Sequence, residues 1–125
     1  MYTKALMISA FLCFVSCTKE EITARKYPRV MTREVVNVVN GTATFNGEIT
    51  FTSTAVIDYG FIWAISGFPT LTNGENKSLG QKDGTGKFVF TVTQGLQVGK
   101  GYLMCAYARS SQYIVYGNQF YFVSK

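Results

Sequence analysis

The stretch Val56-Ile57-Asp58-Tyr59-Gly60-Phe61-Ile62-Trp63-Ala64-Ile65 constrains this chain more than any other. It holds the only tryptophan, two further aromatic residues and four β-branched aliphatic residues, with no helix cap and no proline. Its odd positions, Ile57, Tyr59, Phe61, Trp63 and Ile65, are all large. Its even positions, Asp58, Gly60, Ile62 and Ala64, are smaller or polar. A side-chain period of two belongs to a strand, and the large set is expected to face a core. The other strong segments are placed by asking how they pack on this central strand.

The rest of the composition agrees with an all-β chain. At 125 residues there is room for one domain. Ten Phe and eight Tyr, with many Val and Thr, favour strands. Hydrophobic residues at 47% are enough for a core, which argues against disorder. The net charge is +5, but Lys19, Arg25, Lys26, Arg29 and Arg33 crowd the early part of the chain. That pattern reads as a solvated tether. Nucleic-acid binding would need a basic stripe with base-reading groups, and none is present.

Several chemistries lack their residues. There is no histidine, so the commonest general base, metal ligand and pH switch is missing. Cys13, Cys17 and Cys105 fit no zinc or redox spacing. The acids Glu34, Glu48, Asp58, Glu75 and Asp83 fall on different expected strands and loops, so no glycosidase pair is forced together. Asp83-Gly84-Thr85-Gly86 follows no βα unit, which removes the phosphate-loop reading. Asp83 and Glu75 alone are thin for a calcium loop. The expectation is therefore no enzyme, no catalytic residue, no metal and no cofactor.

The first residues read as an address. Lys4 is followed by a weakly polar to apolar run from Ala5 to Val15, too short to span a bilayer. Residues 1–16 are read as a secretory signal peptide. Phe14-Val15-Ser16-Cys17 resembles a bacterial lipobox, in which the cysteine takes a diacylglycerol and becomes the new N-terminus. Phe14 departs from the usual Leu of that motif. Cys17 is thus the expected lipidation site, and residues 17–27 the tether. Acyl chains on Cys17 would hold the domain on a membrane, each buried CH₂ adding about 0.8 kcal/mol. Thr18-Lys19-Glu20-Glu21 resembles the export signal of some Gram-negative lipoproteins, which implies the outer face of the outer membrane.

Residues 28–125 form the expected domain. Arg29 to Val39 reads as an edge strand, and Asn40-Gly41 as a turn. Ala43, Phe45, Gly47, Ile49 and Phe51 alternate with polar residues, the cleanest strand in the chain. Residues 71–87 are polar and glycine-rich, so a loop is expected there with at most a short edge strand near Lys77 to Gly80. Phe88 to Val92, Tyr102 to Ala108 and Val115 to Val123 complete the set. About seven short antiparallel strands around one Trp read as an immunoglobulin-like β-sandwich. Leu96 followed by Tyr102 has the spacing of a tyrosine corner, whose phenol bonds the backbone upstream.

A set of phrases carries a family resemblance. Asp58-Tyr59-Gly60-Phe61-Ile62-Trp63, Pro69-Thr70, Gly84-Thr85-Gly86-Lys87-Phe88, Gly95-Leu96, Tyr102-Leu103-Met104-Cys105-Ala106-Tyr107-Ala108 and Tyr116-Gly117-Asn118 occur in that order. Together they resemble the fibronectin type III-like modules of Gram-negative surface lipoproteins, from about Pro28 to Phe122. Val98 stands where that pattern usually has Pro, and Cys105 where it has Arg. The resemblance implies a fold and a surface location, and none of its phrases is catalytic.

Alternation also suggests where a partner would bind. The outer face of the sheet formed by the Trp63, Tyr102 and C-terminal strands shows Ile62, Ala64, Leu103, Cys105, Tyr107, Tyr121 and Val123. A solvated face should be polar, so this one is expected either to bind a partner or to lie under a loop. Arg109-Ser110-Ser111-Gln112-Tyr113-Ile114 has a recognition-loop composition. The candidate binding residues are Leu103, Cys105, Tyr107, Arg109, Tyr113 and Tyr121. The expected function is a lipid-anchored module that binds a protein or glycan. The rival is a structural subunit, pilus-type or spacer, at the cell surface.

Overall fold

The computed structural model describes residues 27–125. The signal peptide, Cys17, the export signal and the tether up to Lys26 lie outside the described residues. Eight strands follow in order: β1 (Arg29–Val39), β2 (Thr42–Phe51), β3 (Val56–Ala64), β4 (Glu75–Lys82), β5 (Gly86–Val92), β6 (Gly101–Arg109), β7 (Ile114–Tyr116) and β8 (Phe120–Val123). No helix occurs among the described residues. All pairings are antiparallel. One sheet has the order β1-β2-β5; the other runs β4-β3-β6-β7, with β8 also on β6. The inner faces of the two sheets share one core, so the domain is a β-sandwich.

That core is aromatic and centred where β2 crosses β3. The Phe45 ring lies 5.6 Å from Phe61, 5.3 Å from Trp63 and 5.6 Å from Phe122. Trp63 is buried and stacks 6.4 Å from Phe90. The Tyr102 hydroxyl accepts a hydrogen bond from the Gln97 N–H at 2.7 Å, the bond expected of a tyrosine corner. Asn40 and Gly41 both take positive φ, 50° and 76°, as a two-residue hairpin turn requires between right-twisted strands.

Four expectations are corrected. Ile57 and Ile65 face solvent, while Val56 enters the core. A bulge between Val56 and Tyr59 shifts the parity of β3, so its first residues follow a different alternation from Phe61 and Trp63. Phe51 is exposed, because β2 runs past the end of the core. β4 is a full eight-residue strand, not a short one. Apart from Leu79, which packs against the core, its side chains are mostly polar and exposed, and its existence depends on pairing with β3. The final strand divides at Gly117-Asn118-Gln119 into β7 and β8. There Thr32 of β1 fills the interruption: its N–H donates to Asn118 Oδ1 at 3.0 Å, and its Oγ1 accepts from the Ala106 N–H at 2.9 Å.

Candidate functional site

The registers of the five-stranded sheet order its outer face in rows. Ala64, Leu103 and Tyr121 form one, and Gly60, Tyr107 and Tyr116 another. Between them lie Ile62 and Cys105. The apolar face is therefore where alternation places it, but its centre is not open. Ile62 and Cys105 are fully buried and Tyr107 is 1% exposed, with Leu71 packed on them. This corrects any reading of Cys105 and Tyr107 as surface contacts. Loop 65–74 folds over them because an apolar sheet face gains more from a cover than from water.

The cover is stapled to itself and to the sheet. Asn73 Nδ2 donates to the Ser66 carbonyl at 3.0 Å and to the Phe68 carbonyl at 2.8 Å. Thr70 and Asn73 exchange backbone bonds of 3.1 and 3.0 Å. Gly74 closes the loop at φ 115°, where a Cβ would lie 2.5 Å from the Trp63 carbonyl oxygen. Two side chains rise from the sheet to meet the loop. The Cys105 thiol donates to the Pro69 carbonyl at 3.6 Å, and the Tyr116 hydroxyl accepts from the Leu71 N–H at 3.3 Å. Burial pushes the Cys105 thiol up to about 12, which keeps it a protonated donor.

Beside the cover, Asp58 joins three strands. Its Oδ2 accepts from the Tyr107 hydroxyl at 2.9 Å and its Oδ1 from the Ser78 hydroxyl. Arg109 Nη2 stands 3.9 Å from Oδ2. Burial, then the bond and charge of Asp58, raise the Tyr107 phenol above its ordinary value. Tyr107 is thus held protonated, as a clamp from β6 to β3.

The exposed candidates lie around the cover. Tyr121 is 66% exposed over Gly101, and Leu103 is half-buried. Tyr113 projects from the β6–β7 turn, which is preorganised by buried Ser110. The Ser110 N–H donates to the Tyr113 carbonyl at 2.8 Å, and its Oγ accepts from the Tyr113 N–H at 3.1 Å. The Tyr113 ring meets Tyr27 edge-on at 5.7 Å. A cleft of 360 Å³ adjoins them, lined by Tyr27, Pro28, Arg29, Val30, Val115 and Tyr116. Tyr27 and Tyr116 were not among the residues expected from sequence. Tyr116 was legible as the outward partner of Tyr107, had the last strand been read as ending early.

A larger cleft of 530 Å³ lies on the three-stranded sheet, lined by Arg33, Glu34, Asn46, Gly47, Lys87, Phe88 and Val89. Arg33 there pairs with neighbouring Glu48 and, by that bond, holds its carboxyl below its usual value. Among the described residues, no three His, Cys, Asp or Glu side chains converge as a metal site. No helix among them is long and apolar enough to cross a membrane.

Residues 27–125 form an all-β domain of two antiparallel sheets with one shared core. No family model, curated protein or solved structure matches the chain.

Proposed function

We propose that the chain is a non-enzymatic surface lipoprotein of a Gram-negative outer membrane, whose fibronectin type III-like module binds a protein or glycan. The strand order, the tyrosine corner and the phrases running from Asp58 to Asn118 support the module. The lipobox-like Phe14 to Cys17 and the following Lys19-Glu20-Glu21 support the anchor and the address. One observation carries the binding reading: Tyr27, Tyr113 and Tyr116, each about two-fifths exposed, gather beside one cleft, and Ser110 preorganises the turn that carries Tyr113. Exposed tyrosines present broad, rigid surface at low conformational cost, and Arg29 and Arg109 nearby add donors.

The test uses the full chain against a panel of defined oligosaccharides and envelope proteins. Tyr113→Ala and Tyr116→Ala are expected to lose binding shown by the wild type, while circular dichroism stays unchanged. Retained binding in both variants would move the site to Tyr121 and Leu103. Mass spectrometry of the N-terminal peptide tests the anchor, with an acylated Cys17 as the expected result.

A further inference from the structure

An asparagine followed by glycine is the pair in which a side-chain amide reacts most readily with its own backbone, because glycine has no Cβ to shield its nitrogen. The chain holds three such pairs, Asn40-Gly41, Asn46-Gly47 and Asn73-Gly74. The fold restrains two of them. Gly47 lies inside β2, set between Thr32 of β1 and Phe88 of β5. The Gly41 N–H donates to the Lys125 carbonyl at 2.7 Å, so its nitrogen is already engaged.

Asn73-Gly74 has neither restraint. Both residues are exposed and lie between β3 and β4, outside every strand. Among the described residues, no turn or loop backbone bond engages the Gly74 N–H. The amide of Asn73 is also the staple of the cover. Its Nδ2 holds the Ser66 and Phe68 carbonyls at 3.0 and 2.8 Å, on the opposite limb of the loop.

We propose that Asn73 is a self-modification site, whose reaction with Gly74 irreversibly releases the cover over Ile62, Cys105 and Tyr107. The Gly74 nitrogen bonds Asn73 Cγ, and the Cγ–Nδ2 bond breaks. The proton of the Gly74 N–H passes through solvent to the departing nitrogen, which leaves as ammonia. Water then opens the resulting succinimide at one of its two carbonyls, giving aspartate or isoaspartate. Nδ2 is the atom that leaves, so both staple bonds are lost in one event. The new carboxylate of aspartate faces the same two carbonyl oxygens with no proton to donate. Isoaspartate also lengthens the backbone where Gly74, at φ 115°, closes the loop. The staple gates its own loss: while both bonds hold, the carboxamide is tied to the far limb, and the ring closes only after the loop opens. A transient opening is thereby made permanent. The reaction needs only water and takes no residue from the tyrosine cleft, so it stands apart from the binding reading.

The test ages the full chain in detergent at mildly alkaline pH. Fragment-ion mass spectrometry locates each converted asparagine by the mass gained as –NH₂ becomes –OH. Asn73 is expected to convert before Asn40 and Asn46. The converted chain, separated by ion exchange, should label at Cys105 about fivefold faster or more than the unaged chain, the change expected from losing two ordinary hydrogen bonds. Asn73→Asp should label as fast without ageing and keep the strand spectrum in circular dichroism. Asn73 converting no earlier than Asn40 or Asn46 overturns the inference. So does a converted chain, or Asn73→Asp, that labels at the wild-type rate. Faster labelling together with loss of the strand spectrum also overturns it, because global unfolding would then expose the thiol.

Discussion

The two outer faces of this sandwich follow the same alternation and meet opposite fates. On the three-stranded sheet the outward residues of β2 are Thr42, Thr44, Asn46 and Glu48, and water covers them. On the five-stranded sheet they are Ile62, Cys105 and Tyr107, and the chain covers them itself with loop 65–74. The first face needs only local hydrogen bonds, such as Thr44 Oγ1 to Thr91 Oγ1 at 3.0 Å. The second makes part of the domain's stability depend on one stapled loop. An apolar outward face is thus evidence of a cover before it is evidence of a partner.

The largest expected effect tests the layer beneath both faces. Trp63→Ala empties the centre of the shared core and should cost about 3–5 kcal/mol in denaturant unfolding. An unchanged midpoint would mean the faces do not rest on a common core.

Next comes the cover. Gly74→Ala forces a Cβ toward the Trp63 carbonyl at a φ that L-residues rarely adopt, and should cost about 1–3 kcal/mol. It should also speed labelling of Cys105 by a thiol reagent, measured against the slow labelling of the wild type. Equal rates would mean the thiol is not protected by the loop.

A pH titration separates the faces further. The folded Cys105 thiol is raised from 9.0 to about 12, so the unfolded chain loses this proton first as pH rises. Folding stability should therefore be intact below about pH 9 and fall between there and about 12, where the folded thiol also titrates. Tyr107, raised in the same direction, steepens the loss above its ordinary 10.0. Cys105→Ala should flatten the first part of the fall in thermal melts at stepped pH, and a curve identical to the wild type would assign it to other groups.

The smallest effect belongs to the polar face. Thr44→Ala should change stability by no more than about 0.5 kcal/mol, since its hydroxyl pair is solvated. A loss as large as that of Gly74→Ala would erase the contrast between the faces.

Much of the scaffold was legible because alternation is a local property. Ala43, Phe45 and Ile49 on β2, and Tyr102, Met104 and Ala106 on β6, all point inward as their spacing requires. β4 was missed in length because Glu75 to Lys82 carries little that prefers a strand; pairing with β3 makes it one. The parity change at Ile57 was missed because a bulge leaves no residue signature in Val56-Ile57-Asp58. The candidate site divided in the same way. Tyr113 and Tyr121 were placed on the surface correctly, whereas Cys105 and Tyr107 lie beneath a loop whose composition resembles any other.

The order of residues by itself determined that this chain makes strands, which side chains share a face wherever a strand runs without a bulge or break, and that Trp63 lies in the middle. Those follow from the two-residue period of an extended backbone, which each segment expresses alone. Tertiary structure alone decided which apolar face is sealed and which tyrosines gather at a cleft. These depend on segments far apart in the chain meeting, and no local pattern encodes the meeting.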